Sequence, residues 1–363
     1  MNFDLSDEQK MLGEQARALL GDLSPFDRLR GLIDSGAEWD EPLWRALAEM
    51  GFLGVTIPEE YGGLALGALD LGVIMEALGG ANAAVPFMSS IVLAAEAIRL
   101  SGSEAQKAAW LPRLASGEAI GTFAYAEGPG PVFATGAALQ GDRLNGSKGP
   151  VADAGVAHVA VVLVAGGGFA LVDLDQPGVT RTRLDSFDQL RPHYRIDFAD
   201  AVAEALPGAG KLDRLIDGAA VQAAFEAVGA ADACLHMARD YAMERQIFGR
   251  PLGGYQAIKH KLADVAVATE LARSNAYYGG WAAEASPDDL PAAAAAARLS
   301  GIKCFEMAAR ENLQIHGGIG YTFEANCHFY YRRERMLGVH LGNRGFWADR
   351  LLSAQPGSQT KAA

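Results

Sequence analysis

At 363 residues, half of them hydrophobic and 8% aromatic, the chain is long enough to bury a large core and to divide into more than one structural unit. Its 44 acidic against 31 basic side chains give a formal net charge of -13, which argues against a nucleic acid as the main partner and leaves room only for local basic pockets. Three widely spaced cysteines, Cys234, Cys304 and Cys327, form neither a disulfide framework nor a metal-ligand cluster of familiar spacing. The acidic, amphipathic start lacks the basic region and apolar core of an export signal, so a cytoplasmic protein without a metal is expected.

From about residue 4 to 118, apolar positions recur at helical spacing in "DEQKMLGEQARALLGDL", "EPLWRALAEMGFLGV", "ALDLGVIMEALGGANAAVPF", "MSSIVLAAEAIRLSG" and "SEAQKAAWLPRLASG". Several of these runs open after Ser or Asp and close near Gly, as capped helices do, which predicts a first domain of helices over 1–118. Between 119 and 208 the pattern shortens to "GTFAYAE", "HVAVVLVA", "GFALVDL" and "HYRIDFAD" with Gly, Pro and Asn-Gly turns between them, a small β domain. The most apolar window, "VAHVAVVLVAGGGFALVDL", carries a His and a Gly triplet and reads as two buried strands around a turn rather than a membrane helix. From 209 to 363 the helical pattern returns in four long segments: one to about Arg245, one from "YQAIKHKL" to "WAAEA", one from Leu290 to about Ile315, and one from Cys327 into "WADRLL". Short connections between long helices predict an antiparallel four-helix bundle. The alanine run in "AAAAAARLSG" is read as close-packed core.

Two stretches of the last domain carry chemistry. In "RQIFGRPLGGYQAIKHKLAD" a helix ends at Arg245 and turns at Phe248 and Gly249, so a guanidinium fork suited to phosphate stands beside an aromatic face suited to a base or ribose. In "QIHGGIG", Gly317, Gly318 and Gly320 let the backbone approach a ligand and present amide donors to a pyrophosphate. Either stretch alone is equally an ordinary turn between helices.

Together with the order of helices, strands and helices, these stretches, the "LSDEQ" start and "GVTIPEEYGGLAL" resemble the acyl-CoA dehydrogenase family over essentially the whole chain. The resemblance implies an α+β fold with an N-terminal helical domain, a central β-barrel or sandwich and a C-terminal four-helix bundle. It also implies FAD, an acyl-CoA substrate, a tetrameric assembly and electron-transfer flavoprotein as acceptor. By the same resemblance Arg245, Phe248, Gln256, Gln314, Gly317 and Gly318 are expected to hold the pyrophosphate and adenosine half of FAD across a subunit boundary.

The family reaction needs a carboxylate to remove the α proton while the β hydrogen leaves as hydride. At the usual position of that base this chain has Leu341, followed by Gly342, and at the second known position it has Ala219. Asp217 is rotated about 200° from Ala219, whereas Glu226, seven residues on, returns to the same helix face. Glu226 in "QAAFEAVGAAD" is therefore the candidate catalytic base, the alternative being a structural carboxylate paired with an Arg or Lys of a neighbouring helix. The flavin-ring side is altered as well: Ala126 stands at the Thr position of the Thr-Glu-Pro-Gly turn, and Pro150 and Ala152 stand at the Trp and Thr positions of the Trp-x-Thr segment. This asymmetry, with "MLGVHLG" in place of a Glu-Gly loop, resembles the branch of the family that forms α2β2 heterotetramers acting on bulky substrates such as steroid side chains. It favours an FAD-dependent dehydrogenase subunit that shares its site with a dissimilar chain, ahead of a self-sufficient homotetramer with a relocated base and a non-catalytic stabilising subunit.

Overall fold

The computed structural model describes residues 5–355, so positions 1–4 and 356–363 of the expected first and last domains lie outside the described residues. The helices α1 (Asp7–Leu23), α2 (Phe26–Ser35), α3 (Glu41–Glu49) and α4 (Ala68–Gly80) come first, followed by a π-helical stretch over Met88–Ala95, α5 (Glu96–Ser101) and α6 (Glu104–Ala115). Eight strands follow: β1 (Gly121–Ala124), β2 (Ala138–Gln140), β3 (Arg143–Ala152), β4 (Val159–Leu163), β5 (Phe169–Asp173), β6 (Val179–Leu184), β7 (His193–Val202) and β8 (Glu204–Leu206). The chain then returns to helix in α7 (Leu212–Glu244), turns through β9 (Gln246–Ile247) and β10 (Arg250–Pro251), and continues as α8 (Gln256–Ala285), α9 (Leu290–His316), α10 (Cys327–Leu337) and α11 (Arg344–Ser353). Capping boxes fix two of the starts: the Ser6 hydroxyl accepts from the Gln9 amide and the Gln9 side chain accepts from the Ser6 amide, and Ser103 and Gln106 repeat the arrangement.

Contacts gather these elements into two compact units. One comprises residues 27–67 and 84–219 and contains the sheets. Its first sheet has the order β1-β4-β5-β8, with β1 parallel to β4 and the remaining pairs antiparallel. All five residues of β4 are buried, so this strand is covered on both faces. The second sheet, β2-β3-β7-β6, is antiparallel, and along β7 the residues Tyr194, Ile196 and Phe198 point inward while their neighbours are more open. Among the described strands neither sheet closes on itself, so the β part is a pair of open sheets rather than a barrel.

The strand pattern conceals half of these elements. Asn145-Gly146 lies inside β3 rather than at a turn, because Gly146 at a φ of +136° accommodates a register shift against β7. In "VTRTRL", β6 pairs as an edge strand whose arginines reach polar partners: Arg181 donates to the Ala157 carbonyl at 3.0 Å and pairs with Asp175 at 2.8 Å.

The other unit comprises residues 1–26, 68–83 and 220–363. Here α4 and α7 approach so closely that Gly79 faces the Glu226 carbonyl and Gly229 faces the Glu76 carbonyl, with no room for a Cβ at either. Phe225 fills the space beside Gly72 and lies 5.4 Å from the ring of Tyr277. Burial of such a ring contributes roughly 2–3 kcal/mol. In the alanine run Ala293, Ala294, Ala295 and Ala297 are buried, as close helix packing requires. The single final helix expected from Cys327 onward is instead α10 and α11. Leu341 at a φ of +59° and Gly342 at +109° break it, and Asn343 caps the restart by accepting from the Phe346 amide.

Candidate functional site

The end of α7, the start of α8 and the end of α9 converge on one apolar cluster. Ala238, Ala242 and Ile315 are buried there, with Tyr241, Leu252, Ile258 and Leu262 packed against them. The Tyr241 ring also stacks on His316 at 4.2 Å, and the His316 Nδ1 lies 2.8 Å from the Asn312 carbonyl. Burial lowers the His316 pKa, so the imidazole is neutral at pH 7. Through this cluster the two motif stretches, one carrying Arg245, Phe248 and Gln256 and the other Gln314, Gly317 and Gly318, meet at one end of the helices.

The turn between α7 and α8 is a tight hairpin. Gln246 pairs with Pro251 and Ile247 with Arg250, leaving Phe248 and Gly249 at the tip with φ of +49° and +81°. Positive φ at both central positions is the type I′ geometry that matches strand twist. Phe248 lacks glycine's freedom there, so supporting contacts hold the shape: the Tyr255 hydroxyl donates to the Ile247 carbonyl at 2.8 Å, and the Arg250 guanidinium lies 3.8 Å over the Tyr255 ring. The result holds an aromatic ring that is 95% exposed at the tip, beside an exposed Arg245. Gln256 begins α8, where helix amides and the positive dipole end favour an anion.

At the α9 end, Gly317 has a φ of +65° and so needs to be glycine, whereas Gly318 has no such demand. A Cβ built on Gly317 or Gly318 meets nothing within 4 Å. The surface above these backbones is open, as close approach by a pyrophosphate requires. An Arg fork, two exposed amides, an aromatic face and open glycine backbone are group types suited to a dinucleotide, and in chemistry and exposure these residues fit FAD.

In the sheet-containing unit the structure brings together the two segments that the resemblance expects at the flavin ring. The Gly149 amide donates to the Ala126 carbonyl at 2.8 Å, and the Gly128 amide donates to the Gly149 carbonyl at 2.7 Å, which seats the "AEGPGP" turn beside Pro150. Behind it, the fully buried Lys148 ammonium donates to Glu127 Oε1 and to the Ala134 carbonyl, each at 2.6 Å. Glu127 also accepts from the Gly136 and Ala137 amides at 2.8 and 3.0 Å. Burial alone would raise the Glu127 carboxyl, but Lys148 and the two amides together hold it below the usual range. Polar capacity on this side is spent within the chain. Sequence reasoning missed the pair, for which the only signal was a lysine within the "SKGPVADAG" segment.

The two positions where the resemblance expects a base carry no carboxylate. Leu341 is fully buried and Ala219 nearly so. Arg298 of α9, itself buried, donates to the carbonyls of Leu337 and His340, the latter at 2.8 Å, and so holds the segment that carries Leu341. Glu226 is 1% exposed, and its Oε1 accepts from Arg333 of α10 at 3.2 Å. The same guanidinium lies 3.4 Å from the Ala83 carbonyl. The isolated carboxylate that a relocated base would present is instead one half of a buried ion pair.

The acyl-CoA dehydrogenase N-terminal domain model matches residues 6–118 and the C-terminal domain model matches residues 212–347. The chain belongs to the acyl-CoA dehydrogenase family. Acyl-CoA dehydrogenase IpdE2 of Mycolicibacterium smegmatis is 30% identical over 93% of this chain and 96% of its own length. Among solved structures, a variant of the steroid ACAD Tcur3481-Tcur3483 superposes with a TM-score of 0.90 at 31% identity, covering 96% of this chain and 97% of that one. The ChsE4-ChsE5 complex from Mycobacterium tuberculosis gives a TM-score of 0.90 at 26% identity over 98% and 100% of the two chains. Members of the family are FAD-dependent oxidoreductases acting on a CH–CH bond of an acyl-CoA, and FAD is the cofactor of this chain's class. No helix among the described residues is long and apolar enough to cross a membrane.

Proposed function

We propose that this chain supplies the pyrophosphate and adenosine half of an FAD site whose flavin-ring half and catalytic base come from a dissimilar acyl-CoA dehydrogenase subunit, in an α2β2 assembly. One observation carries the reading: the dinucleotide grip faces outward with Phe248 95% exposed, while every usual position for a base or a ring contact holds a side chain that can neither ionise nor hydrogen-bond. Arg245 would bind the pyrophosphate, Gln256 and Gln314 would orient the ribose and adenosine, and the amides at Gly317 and Gly318 would receive phosphate oxygens. Bound FAD supplies the hydride acceptor for α,β-dehydrogenation. Glu226 in this reading is structural, its charge held by Arg333.

The substrate is an acyl-CoA with a bulky acyl group, of the steroid side-chain kind. Support comes from the likeness to a steroid ACAD and to a complex of two named chains. Electron-transfer flavoprotein is the acceptor in this reading, the compartment is cytoplasmic, and the functional domains are 1–118, 119–208 and 209–363. The test is to purify the chain alone, record its flavin absorbance and mass in solution, and repeat both with the candidate partner added. Little flavin and no turnover alone, with both appearing on addition of the partner, is the expected result. A yellow homotetramer active by itself overturns the reading.

A further inference from the structure

The hairpin between α7 and α8 carries a second arginine, Arg250, close to Arg245. Residues 239–261 hold five Arg and Lys against two Asp and Glu, in a chain whose net charge is -13. The acids of this segment do not offset the two hairpin arginines. Asp240 pairs with Arg239 at 2.7 Å, and among the described residues no carboxylate lies within ion-pair reach of Arg245 or Arg250, both of which are exposed.

The backbone sets these two arginines on one face. Ile247 pairs directly with Arg250, and the Leu252 amide donates to the Arg245 carbonyl at 2.7 Å, which carries the ladder one step beyond β9. Side chains two apart along a strand share a face, so Arg245 joins Ile247 and Arg250 there, at the diagonal spacing of about 7 Å. Like charges so placed repel, and an anion between them removes the repulsion. Arg250 is also held in place. Its guanidinium lies 3.8 Å over the Tyr255 ring, and the Tyr255 hydroxyl is fixed to the Ile247 carbonyl. Stacking uses the flat face of the guanidinium and leaves its N–H edge for a phosphate. The hairpin, Tyr255 and the Gly317–Gly318 backbone all belong to the helical unit and are shaped by contacts within it. Little ordering therefore remains to be done when a ligand arrives.

We propose, resting on the assignment of the adenosine half of FAD to this chain, that this end of the helical unit is a self-standing site for an ADP moiety. Arg250 is its second phosphate-binding cation beside Arg245, and free ADP binds the chain without a partner subunit and competes with FAD. Titration calorimetry of the purified chain with ADP, AMP and adenosine tests it. ADP should bind saturably and about tenfold tighter than AMP, the worth of one charge-assisted contact, with adenosine weaker still. Arg250→Gln, checked for an unchanged circular dichroism spectrum, should bring ADP to the level of AMP and leave adenosine as it was. In the flavin-holding assembly, excess ADP should release FAD into an ultrafiltrate. Failure of ADP to bind the folded chain or to displace FAD, ADP bound no tighter than AMP, or an Arg250→Gln chain that binds ADP as the original does overturns the proposal. Arg245→Gln separates the two levels. FAD retention that this variant leaves unchanged defeats the adenosine-half assignment itself, whereas retention that falls while ADP fails to bind defeats only the self-standing site.

Discussion

The proposed dinucleotide end of the helices and the turn-and-strand pair around Ala126 and Pro150 differ in where their hydrogen-bonding capacity goes. At the first, Arg245, Gln256 and Gln314 are exposed and the Gly318 backbone faces open space. At the second, Lys148, Glu127 and the neighbouring amides satisfy one another inside the chain, and the outward positions carry no polar side chain. The same contrast recurs in the helical unit, where Glu226 is consumed by Arg333 and the base loop presents Leu341. A surface that leaves its donors outward is built for something to be added to it. A surface that closes its polar groups on themselves contributes scaffold.

The largest expected effect comes from breaking that closure. Arg333→Leu leaves the Glu226 carboxylate buried without its guanidinium and should cost about 3–5 kcal/mol in urea unfolding. A loss below about 1 kcal/mol would mean that Glu226 is not held as an ion and would return it to candidacy as a base. Lys148→Met should cost about 2–3 kcal/mol by stranding Glu127, again read by urea unfolding.

Arg245→Ala and Gly318→Ala sharpen the outward side of the comparison. Both should leave unfolding free energy within about 0.5 kcal/mol of the original, because one side chain is exposed and the other position has free space for a Cβ. Each should nevertheless lower FAD retention of the assembled complex about tenfold, equivalent to about 1.4 kcal/mol. Stability loss in place of flavin loss would show that these residues serve the chain's own fold.

A smaller effect concerns α10. Burial pushes the Glu334 carboxyl up to about 7 against the pull of Arg335. The folded state therefore holds a proton that the unfolded state releases, and stability falls as pH rises from the ordinary carboxyl range through 7. Glu334→Gln should accordingly raise the melting temperature relative to the original chain at pH 8 and have little effect at pH 5.

The residues of the proposed dinucleotide end stand out in the sequence because they lie in two short contiguous motifs, each at a helix end marked by glycine. The helical period puts Ala238 and Ala242 on one face of α7, but their packing against Ile315 is long-range and is seen only in the structure. The fate of Glu226 was not legible, since Arg333 lies 107 positions away and nothing local marks the pairing. Glu76 and Arg273, 197 positions apart, escaped for the same reason. Strands β3 and β6 were hidden by glycine and arginine, residues that read as turn or surface until a bulge and edge position explain them. The break between α10 and α11 depends on two positive φ values, one of them at a leucine, which pattern alone does not suggest.

The most direct test of the shared-site account is the FAD stoichiometry of the assembled complex. If this chain gives only the pyrophosphate and adenosine half, each flavin needs one copy of this chain and one of its partner, and the account predicts one FAD per pair of dissimilar chains. One FAD on every chain would contradict it, because this chain would then be holding a flavin ring by itself.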